Sequence, residues 1–196
     1  MTAYSLIVLT WLVFGGIHSI MATSRVKQQL QSSSLFRQRY YRLLYNGLSL
    51  LTFLPVLFAL HMAPAEFPGA WHGSAWAGNL VSGVGVLLGL FALKSYNLAE
   101  FIGWPANQVT KTGNLQQRGL LRYVRHPLYS ATILAISGLF IQHPDWRHVL
   151  FGLSAFLYIR IGIHFEEKKL VRMFGDAYVQ YRERTPMLVP AIKPER

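Results

Sequence analysis

Long segments without charged residues constrain this chain more than any other feature. Of its 196 residues, 52% are hydrophobic and 14% charged, whereas about 25% are charged in an average soluble domain. Each segment is near the ~20 residues that a membrane-spanning helix needs, and the last two are the shortest. The segments are 4–22, 43–62, 77–93, 126–144 and 148–159, the last continuing through 160–164. We therefore predict an all-α integral membrane protein with about five transmembrane helices.

Basic residues predict the orientation of these helices. Lysine and arginine are concentrated in the loops after the first and third segments and in the tail, whereas the opposite loops hold only Arg147. By the positive-inside rule, the N-terminus is outside and the C-terminus is cytoplasmic. Membrane lipids are the expected partners of these basic loops, and nucleic acid is not, because topology and anionic lipid account for the net charge of +11. The first segment lacks the features of a cleaved secretory signal.

A single membrane domain over residues 1–196 suits this length. Within it we distinguish an N-terminal three-helix part, 1–98, from a region at 119–190 that carries the chemistry. Cysteine is absent, which excludes disulfides, thiolate metal sites and a cysteine nucleophile. The third segment contains four glycines that favour close helix packing in a membrane: Gly78, Gly83, Gly85 and Gly89.

The fourth segment begins with a basic tripeptide, Arg125, His126 and Pro127. Proline suits the first turn of a helix, and the residues after it present N–H groups without partners inside the helix. Such an end attracts a carboxylate or phosphate, and Arg122 adds positive charge nearby. The sequence therefore predicts an anion site. The alternative is that Arg125 anchors the helix at the interface and His126 only caps it.

The fifth segment carries ionisable residues at helical spacing. Arg160, His164 and Glu167 follow at i, i+4 and i+7, so a continuous helix places them on one face. Ionisable groups at the end of a membrane helix are costly and usually face a cavity or a partner. The Glu166–Glu167 pair would suit an ammonium or ribose hydroxyls. The alternative is a snorkelling Arg160 and a solvated glutamate pair.

A family resemblance draws these features together. The runs Gly119–Tyr129, Glu166–Leu170 and Phe174–Tyr181 resemble the paired motifs of the isoprenylcysteine carboxyl methyltransferase and phospholipid methyltransferase superfamily. The resemblance implies S-adenosylmethionine as methyl donor and direct methyl transfer, with no metal and no covalent enzyme intermediate. Because the positive-inside rule places these motifs on the cytoplasmic side, we expect a bacterial inner-membrane protein whose site faces the cytoplasm. The cofactor-binding residues that it implies are Tyr123, Arg125, His126, Pro127, Tyr129, Glu166 and Glu167.

Shorter similarities concern the methyl acceptor. The segments Asn97–Trp104 and Thr185–Pro190 are similar to the methanethiol S-methyltransferase branch. Gly16–Ser19 and Tyr40–Asn46 resemble a bacterial membrane family associated with nitrogen-oxide metabolism. These similarities imply a small or lipophilic nucleophile, which is a thiol, a prenylcysteine carboxylate or a phospholipid amine.

Four residues are candidates for acting on that acceptor. Arg160, like Arg172, would pair with an acceptor carboxylate, whereas a thiol needs a base. His18 and His164 are the candidate bases, since both lie near the predicted cytoplasmic ends of their helices. The loop 99–118 contains glycine and proline without a clear apolar period and is a candidate lid.

Two other classes of function remain open at this point. A haem- or metal-binding membrane protein is suggested by seven histidines, notably His18 and His164, but no pair has the i, i+4 spacing of a helical metal site. We therefore predict no metal ligands. A membrane reductase would need a nicotinamide site, and the glycine-rich fingerprint after a strand is missing.

Overall fold

The computed structural model describes residues 2–32, 38–66, 72–96, 102 and 115–191. Across these ranges the regular structure is helical and contains no strand. Most of the predicted lid, 99–118, and most of the Asn97–Trp104 similarity lie outside the described residues. The predicted all-α class is confirmed.

Seven α-helices and one 3₁₀ turn make up the described part of the chain. The helices are α1 Ala3–Met21, α2 Ser24–Ser32, α3 Gln38–Met62, α4 Ala75–Leu93, α5 Pro127–Gln142, α6 Trp146–Phe174 and α7 Asp176–Arg184, and the turn is Gly119–Arg122.

Four of these helices are long and apolar enough to cross a membrane: α1, α3 over Tyr40–Met62, α4 and α6. Large apolar side chains such as Leu12, Leu50 and Leu80 are exposed on them, as contact with lipid tails requires. Helix α5 is apolar but has 16 residues, so it is only about 24 Å long, against a hydrocarbon core of about 30 Å. A membrane protein is thus supported, whereas five spans and their orientation remain predictions.

The chain folds as two compact units, the first of which comprises Met1–Trp71, Tyr96–Val109 and Pro144–Ser154. Aromatic rings form much of its core. Trp11 meets Phe14, Phe53 and Phe151 edge to face, with ring centroids 5.5–5.6 Å apart. Such pairs add roughly 0.5–1.5 kcal/mol each beyond the area that they bury. This cluster holds α1 against α3 and the first residues of α6.

Asp145 caps the start of α6 in the same unit. Its Oδ1 accepts a hydrogen bond from the His148 backbone N–H at 3.0 Å and lies 2.7 Å from His148 Nδ1, while Arg147 Nε donates to Oδ2 at 3.1 Å. Burial opposes ionisation, but the bonds from His148 and Arg147 outweigh it and hold the pKa of Asp145 below its usual range. The carboxylate therefore favours this helix end.

The second unit comprises His72–Ser95, Thr110–His143 and Ala155–Arg196. Its helices α4 and α5 pack closely through glycines. A Cβ atom at Gly85 would lie 2.5 Å from the Ala135 backbone nitrogen, and Gly78 and Gly138 are equally confined. Packing was predicted for four glycines of α4, and it is confirmed at Gly78 and Gly85. Gly83 has nothing within 4 Å.

Candidate functional site

The site is built around the turn that precedes α5. Gly119 has φ of +63°, a conformation that glycine adopts without strain, and it begins the 3₁₀ turn. Buried Val124 then anchors the chain, and α5 begins at Pro127, as predicted. His126 is the N-cap residue, and its side chain makes no capping hydrogen bond to the helix. The imidazole is therefore directed to other partners.

Arg125 forms a largely buried ion pair with Glu167 of α6. Its Nε and Nη2 atoms both lie 2.8 Å from Glu167 Oε1, and the two side chains are 8% and 12% exposed. His126 is 4% exposed, and its Nε2 lies 3.2 Å from the same oxygen. Charge-assisted hydrogen bonds of this kind are about twice as strong as neutral ones. The start of α5 and the polar end of α6 are thus joined through one carboxylate.

Glu166 differs from its neighbour in exposure. Its side chain is 42% exposed, and its Oε2 lies 3.7 Å from His126 Nδ1, too far for a direct hydrogen bond. His126 therefore lies between a buried, paired carboxylate and an accessible one. Of the two predicted glutamates, Glu166 is the one that an incoming ligand can reach.

The segment after α7 crosses the start of α5, a feature that the sequence analysis missed. The Arg125 and His126 backbone N–H groups donate to Pro186 O at 2.9 Å and Met187 O at 3.2 Å, and Ser130 Oγ donates to Leu188 O at 2.6 Å. We call residues 185–188 the C-terminal strap. The sequence analysis mentioned these residues only for their similarity to the methanethiol S-methyltransferase branch. It could not predict their contacts, because hydrogen bonds between backbone groups do not depend on which side chains are present.

The Arg125 side chain strengthens the same connection. Its Nη1 donates to Arg182 O at 2.9 Å and to Thr185 O at 2.6 Å, so the guanidinium joins the end of α7 to Glu167. Two segments that are distant in sequence from Arg125, α6 and the end of α7 with the strap, thus converge on one largely buried cation. Arg125 is accordingly a structural centre of the candidate site.

The remaining predicted cofactor residues line the same turn. The Tyr129 ring lies 5.7 Å from the His126 ring, centroid to centroid. Pro127 is buried, whereas Tyr123 is about half exposed. The structure therefore brings together Arg125, His126, Tyr129, Glu166 and Glu167 and places Tyr123 and Pro127 beside them in the chain.

The predicted acceptor residues on α6 lie apart from this ion-pair cluster. Arg160 is exposed, and its guanidinium contacts Met187 Sδ of the C-terminal strap. His164 is exposed and packs beside Phe165. Within the described residues neither side chain forms a hydrogen bond with Glu167. A shared helical face did not lead to shared contacts, because Arg160 extends towards the strap.

His18, the third predicted acceptor residue, lies in the first unit and belongs to a different polar cluster. Its Nδ1 lies 2.8 Å from Ser49 Oγ, and its Nε2 contacts the Tyr45 hydroxyl. Ser49 Oγ uses its proton to donate to Tyr45 O at 2.7 Å, so it accepts from His18 Nδ1–H. Nε2 then accepts from Tyr45. This network joins α1 to α3, and the role of His18 as a base stays a prediction.

Helix α7 supplies two tyrosines that sequence reasoning did not assign to the site. Gly175 has φ of +56°, which ends α6 and redirects the chain so that Tyr178 and Tyr181 are both buried. Tyr181 Oη donates to Leu121 O of the 3₁₀ turn at 2.6 Å. Burial, and next the charge on Glu167, raise the pKa of Tyr178. Both tyrosines lie in the Phe174–Tyr181 run, which the sequence analysis matched to a family motif without giving either residue a role.

Among the described residues, no three histidine, aspartate or glutamate side chains converge in an arrangement that would hold a metal ion. The donor set instead combines an exposed carboxylate, a buried ion pair and a helix N-terminus, which suits an organic zwitterion. In the part of the chain that the structure describes, no observation favours the haem-binding or the reductase alternative.

A comparison with known protein families shows to which family this chain belongs. The family described as NnrU protein matches residues 6–191, nearly the whole chain. The chain belongs to the NnrU family. The predicted resemblance to the isoprenylcysteine carboxyl methyltransferase superfamily, with its methanethiol branch, is confirmed. No solved structure matches it.

Named relatives come from two groups of methyltransferases. Methanethiol S-methyltransferase 2 of Bradyrhizobium diazoefficiens is 30% identical over 188 residues, covering 89% of this chain and 68% of that protein. Methanethiol S-methyltransferase 1 of the same organism is 39% identical over 71 residues, covering 36% of this chain and 24% of that protein. Protein-S-isoprenylcysteine O-methyltransferase of Schizosaccharomyces pombe is 33% identical over 88 residues, covering 44% of this chain and 37% of that protein.

Proposed function

We propose that this NnrU-family protein is an S-adenosylmethionine-dependent membrane methyltransferase that acts on a small or lipophilic nucleophile. The observation that carries the proposal is the accessible Glu166 beside the buried Arg125–His126–Glu167 cluster at the start of α5. The family match and the relatives named as methyltransferases support it.

The residues at the start of α5 and on α6 fit the polar end of S-adenosylmethionine. The exposed Glu166 carboxylate would hold its ammonium group, and the N–H groups of the first turn of α5 would attract its carboxylate. Arg125 and Glu167 hold the turn in place, since their ion pair is largely buried. Tyr123, exposed on the approach to the turn, offers an aromatic surface for the adenosine part. When bound, the cofactor supplies an electrophilic methyl group on a sulfonium.

The protein's part in methyl transfer is then to orient the acceptor and to exclude water. A thiol must lose its proton as its sulfur becomes the nucleophile, and exposed His164 on α6 is our proposed base. Arg160, whose guanidinium contacts Met187 of the strap, would stabilise the resulting thiolate. The same guanidinium would pair with the carboxylate of a prenylcysteine acceptor.

A thiol is our first choice of acceptor. The similarity to a methanethiol S-methyltransferase extends over 89% of this chain, whereas that to the prenylcysteine enzyme extends over 44%. We further propose five transmembrane spans in a bacterial inner membrane, with the site on the cytoplasmic side and the acceptor entering from the bilayer. In that arrangement the 16-residue α5 would cross the bilayer with its first turn on the hydrocarbon side of the lipid headgroups.

A methyl-transfer screen tests the proposal. Purified protein in nanodiscs would be given methyl-labelled S-adenosylmethionine with methanethiol, a prenylcysteine or an amino-phospholipid, and label in the organic product counted. We expect transfer to the thiol, reduced about tenfold at subsaturating cofactor in Glu166→Gln and retained in His143→Ala, a control at the far end of α5. No transfer to any of the three acceptor classes would contradict the proposal, and transfer to the phospholipid alone would correct the acceptor.

A further inference from the structure

Arg160 is a cation on an otherwise apolar, exposed side of α6. It is the only lysine, arginine, aspartate or glutamate between positions 149 and 165, and its side chain is exposed. Leu153 and Leu157, on the same side of the helix, are 55% and 60% exposed. A charge in such surroundings is costly and usually serves a ligand or a partner.

The structure gives this guanidinium one weak partner. Its Nη1 contacts Met187 Sδ of the C-terminal strap. Among the described residues, Arg160 has no carboxylate partner and no second hydrogen bond. A thioether sulfur is a weak acceptor, whereas a guanidinium has five N–H donors. Most of the hydrogen-bonding capacity of Arg160 therefore remains for a ligand.

The backbone of the strap holds Met187 in this position. Its carbonyl accepts a hydrogen bond from the His126 N–H at 3.2 Å. The carbonyls before and after it accept from the Arg125 N–H at 2.9 Å and from Ser130 Oγ at 2.6 Å. Met187 thus meets the start of α5 through its backbone and Arg160 through its side chain. It connects the proposed donor site to the proposed acceptor cation.

The contact with Nη1 affects different anions differently. A carboxylate binds a guanidinium best through two parallel N–H bonds. With Met187 Sδ on Nη1, the end of the guanidinium formed by Nη1 and Nη2 is closed to such a pair of bonds. A thiolate has a single acceptor atom, so one of the remaining nitrogens is enough to attract it. The contact therefore disfavours a carboxylate more than it disfavours a thiolate.

We propose that Met187 is a specificity-determining residue for the methyl acceptor. Its side chain covers one end of the Arg160 guanidinium and thereby favours uncharged alkyl thiols over acceptors that carry a carboxylate. The inference rests on the proposed function, and it assigns the strap to the acceptor site.

Two thiols that differ by one carboxylate test the inference, methanethiol and mercaptoacetate. Their kcat/KM values would be measured with S-adenosylmethionine in nanodiscs, for wild type and Met187→Ala. We expect the ratio of mercaptoacetate to methanethiol to rise about tenfold in the variant, which corresponds to ~1.4 kcal/mol. Both thiols use the same donor, so a change in stability or donor affinity cancels in this ratio.

Two control variants should keep the wild-type ratio. Met187→Leu retains a side chain of similar volume, so the end of the guanidinium stays covered. Val189→Ala shortens the side chain directly after the strap, which is 77% exposed. Adding Arg160→Gln to Met187→Ala should abolish the gain for mercaptoacetate, because that gain depends on the guanidinium.

The outcomes separate this inference from the proposed function. Equal ratios in wild type and Met187→Ala, an equal gain in Met187→Leu, or a gain that survives Arg160→Gln would each overturn the inference alone. A wild-type protein that methylates neither thiol would overturn it together with the thiol acceptor of the proposed function.

Discussion

Replacing each of the two adjacent glutamates of α6 by glutamine should affect a different property of the protein, stability in one case and cofactor affinity in the other. Glu167 is 12% exposed and pairs with Arg125 through two nitrogens and with His126 through a third. Glu166 is 42% exposed and makes no hydrogen bond to His126. The variants Glu167→Gln and Glu166→Gln each change one carboxylate to an amide of nearly the same size, so each is the other's matched control.

The expected size of each effect follows from these contacts. Hydrogen bonds to charged groups contribute about 1.5–3 kcal/mol each, and Arg125 keeps its two backbone carbonyl acceptors. We therefore expect Glu167→Gln to lower the free energy of unfolding by about 2–3 kcal/mol. Glu166→Gln should change it by no more than about 0.5 kcal/mol, as exposed substitutions do. Its cofactor affinity should fall about tenfold, for the loss of ~1.4 kcal/mol.

Thermal unfolding in detergent and calorimetry with S-adenosylmethionine, on monodisperse protein, measure both quantities. The free energy of unfolding should fall in Glu167→Gln, and the cofactor affinity should fall in Glu166→Gln. A Glu167→Gln protein as stable as wild type would refute the idea that this carboxylate holds Arg125 and His126 together. Wild-type affinity in Glu166→Gln would show that the exposed carboxylate is only a solvated helix residue.

Three further predictions concern the scaffold. Gly85→Val should lower the free energy of unfolding by about 1–3 kcal/mol, roughly the cost of overpacking, because a Cβ atom at this position meets backbone atoms. Gly83→Ala should leave the free energy of unfolding unchanged, since nothing lies within 4 Å of a Cβ atom there. Thermal unfolding compares the two variants, and equal midpoints would contradict the close packing of α4 against α5. The lowered pKa of Asp145 means that its stabilisation is present above about pH 3.9, the unfolded value, and is lost as pH falls through the folded pKa. Asp145→Asn should remove that dependence while keeping the cap, because asparagine caps a helix about as well as aspartate. A variant whose free energy of unfolding varies between pH 2 and pH 7 as that of the wild type does would contradict the role of the charged carboxylate. A reporter fused after Arg196 should be cytoplasmic and one inserted near Gly69 external, and the reverse labelling would overturn the orientation.

The helices were predictable where their apolar runs are long. Segments 4–22 and 77–93 correspond to α1 and α4 within a few residues, because burial in lipid requires an uninterrupted apolar surface. The start of α5 was predictable for a different reason, since proline lacks the N–H that the first turn leaves without a partner. Hydropathy marked the fifth segment only to position 164, whereas α6 continues to Phe174, because its last turns are polar on most sides.

The site was predictable in its residues and less so in their contacts. The paired motifs identified Arg125, His126 and both glutamates, but they did not show that Glu167 is paired internally and Glu166 is exposed. That difference depends on which side of α6 meets α5, and consecutive residues point about 100° apart on a helix. The C-terminal strap was not predictable, since its bonds to Arg125 and His126 join backbone groups.

Photochemical cross-linking of labelled S-adenosylmethionine to the wild-type protein, followed by peptide mapping, tests the central claim most directly. The label should attach within 119–130 or 160–190, the segments that carry the start of α5, the polar end of α6 and the strap. Excess S-adenosylhomocysteine should prevent it, and Glu166→Gln should reduce it about tenfold at subsaturating cofactor. Label confined to peptides from α1 or α3, or no labelling that the competitor prevents, would contradict the account.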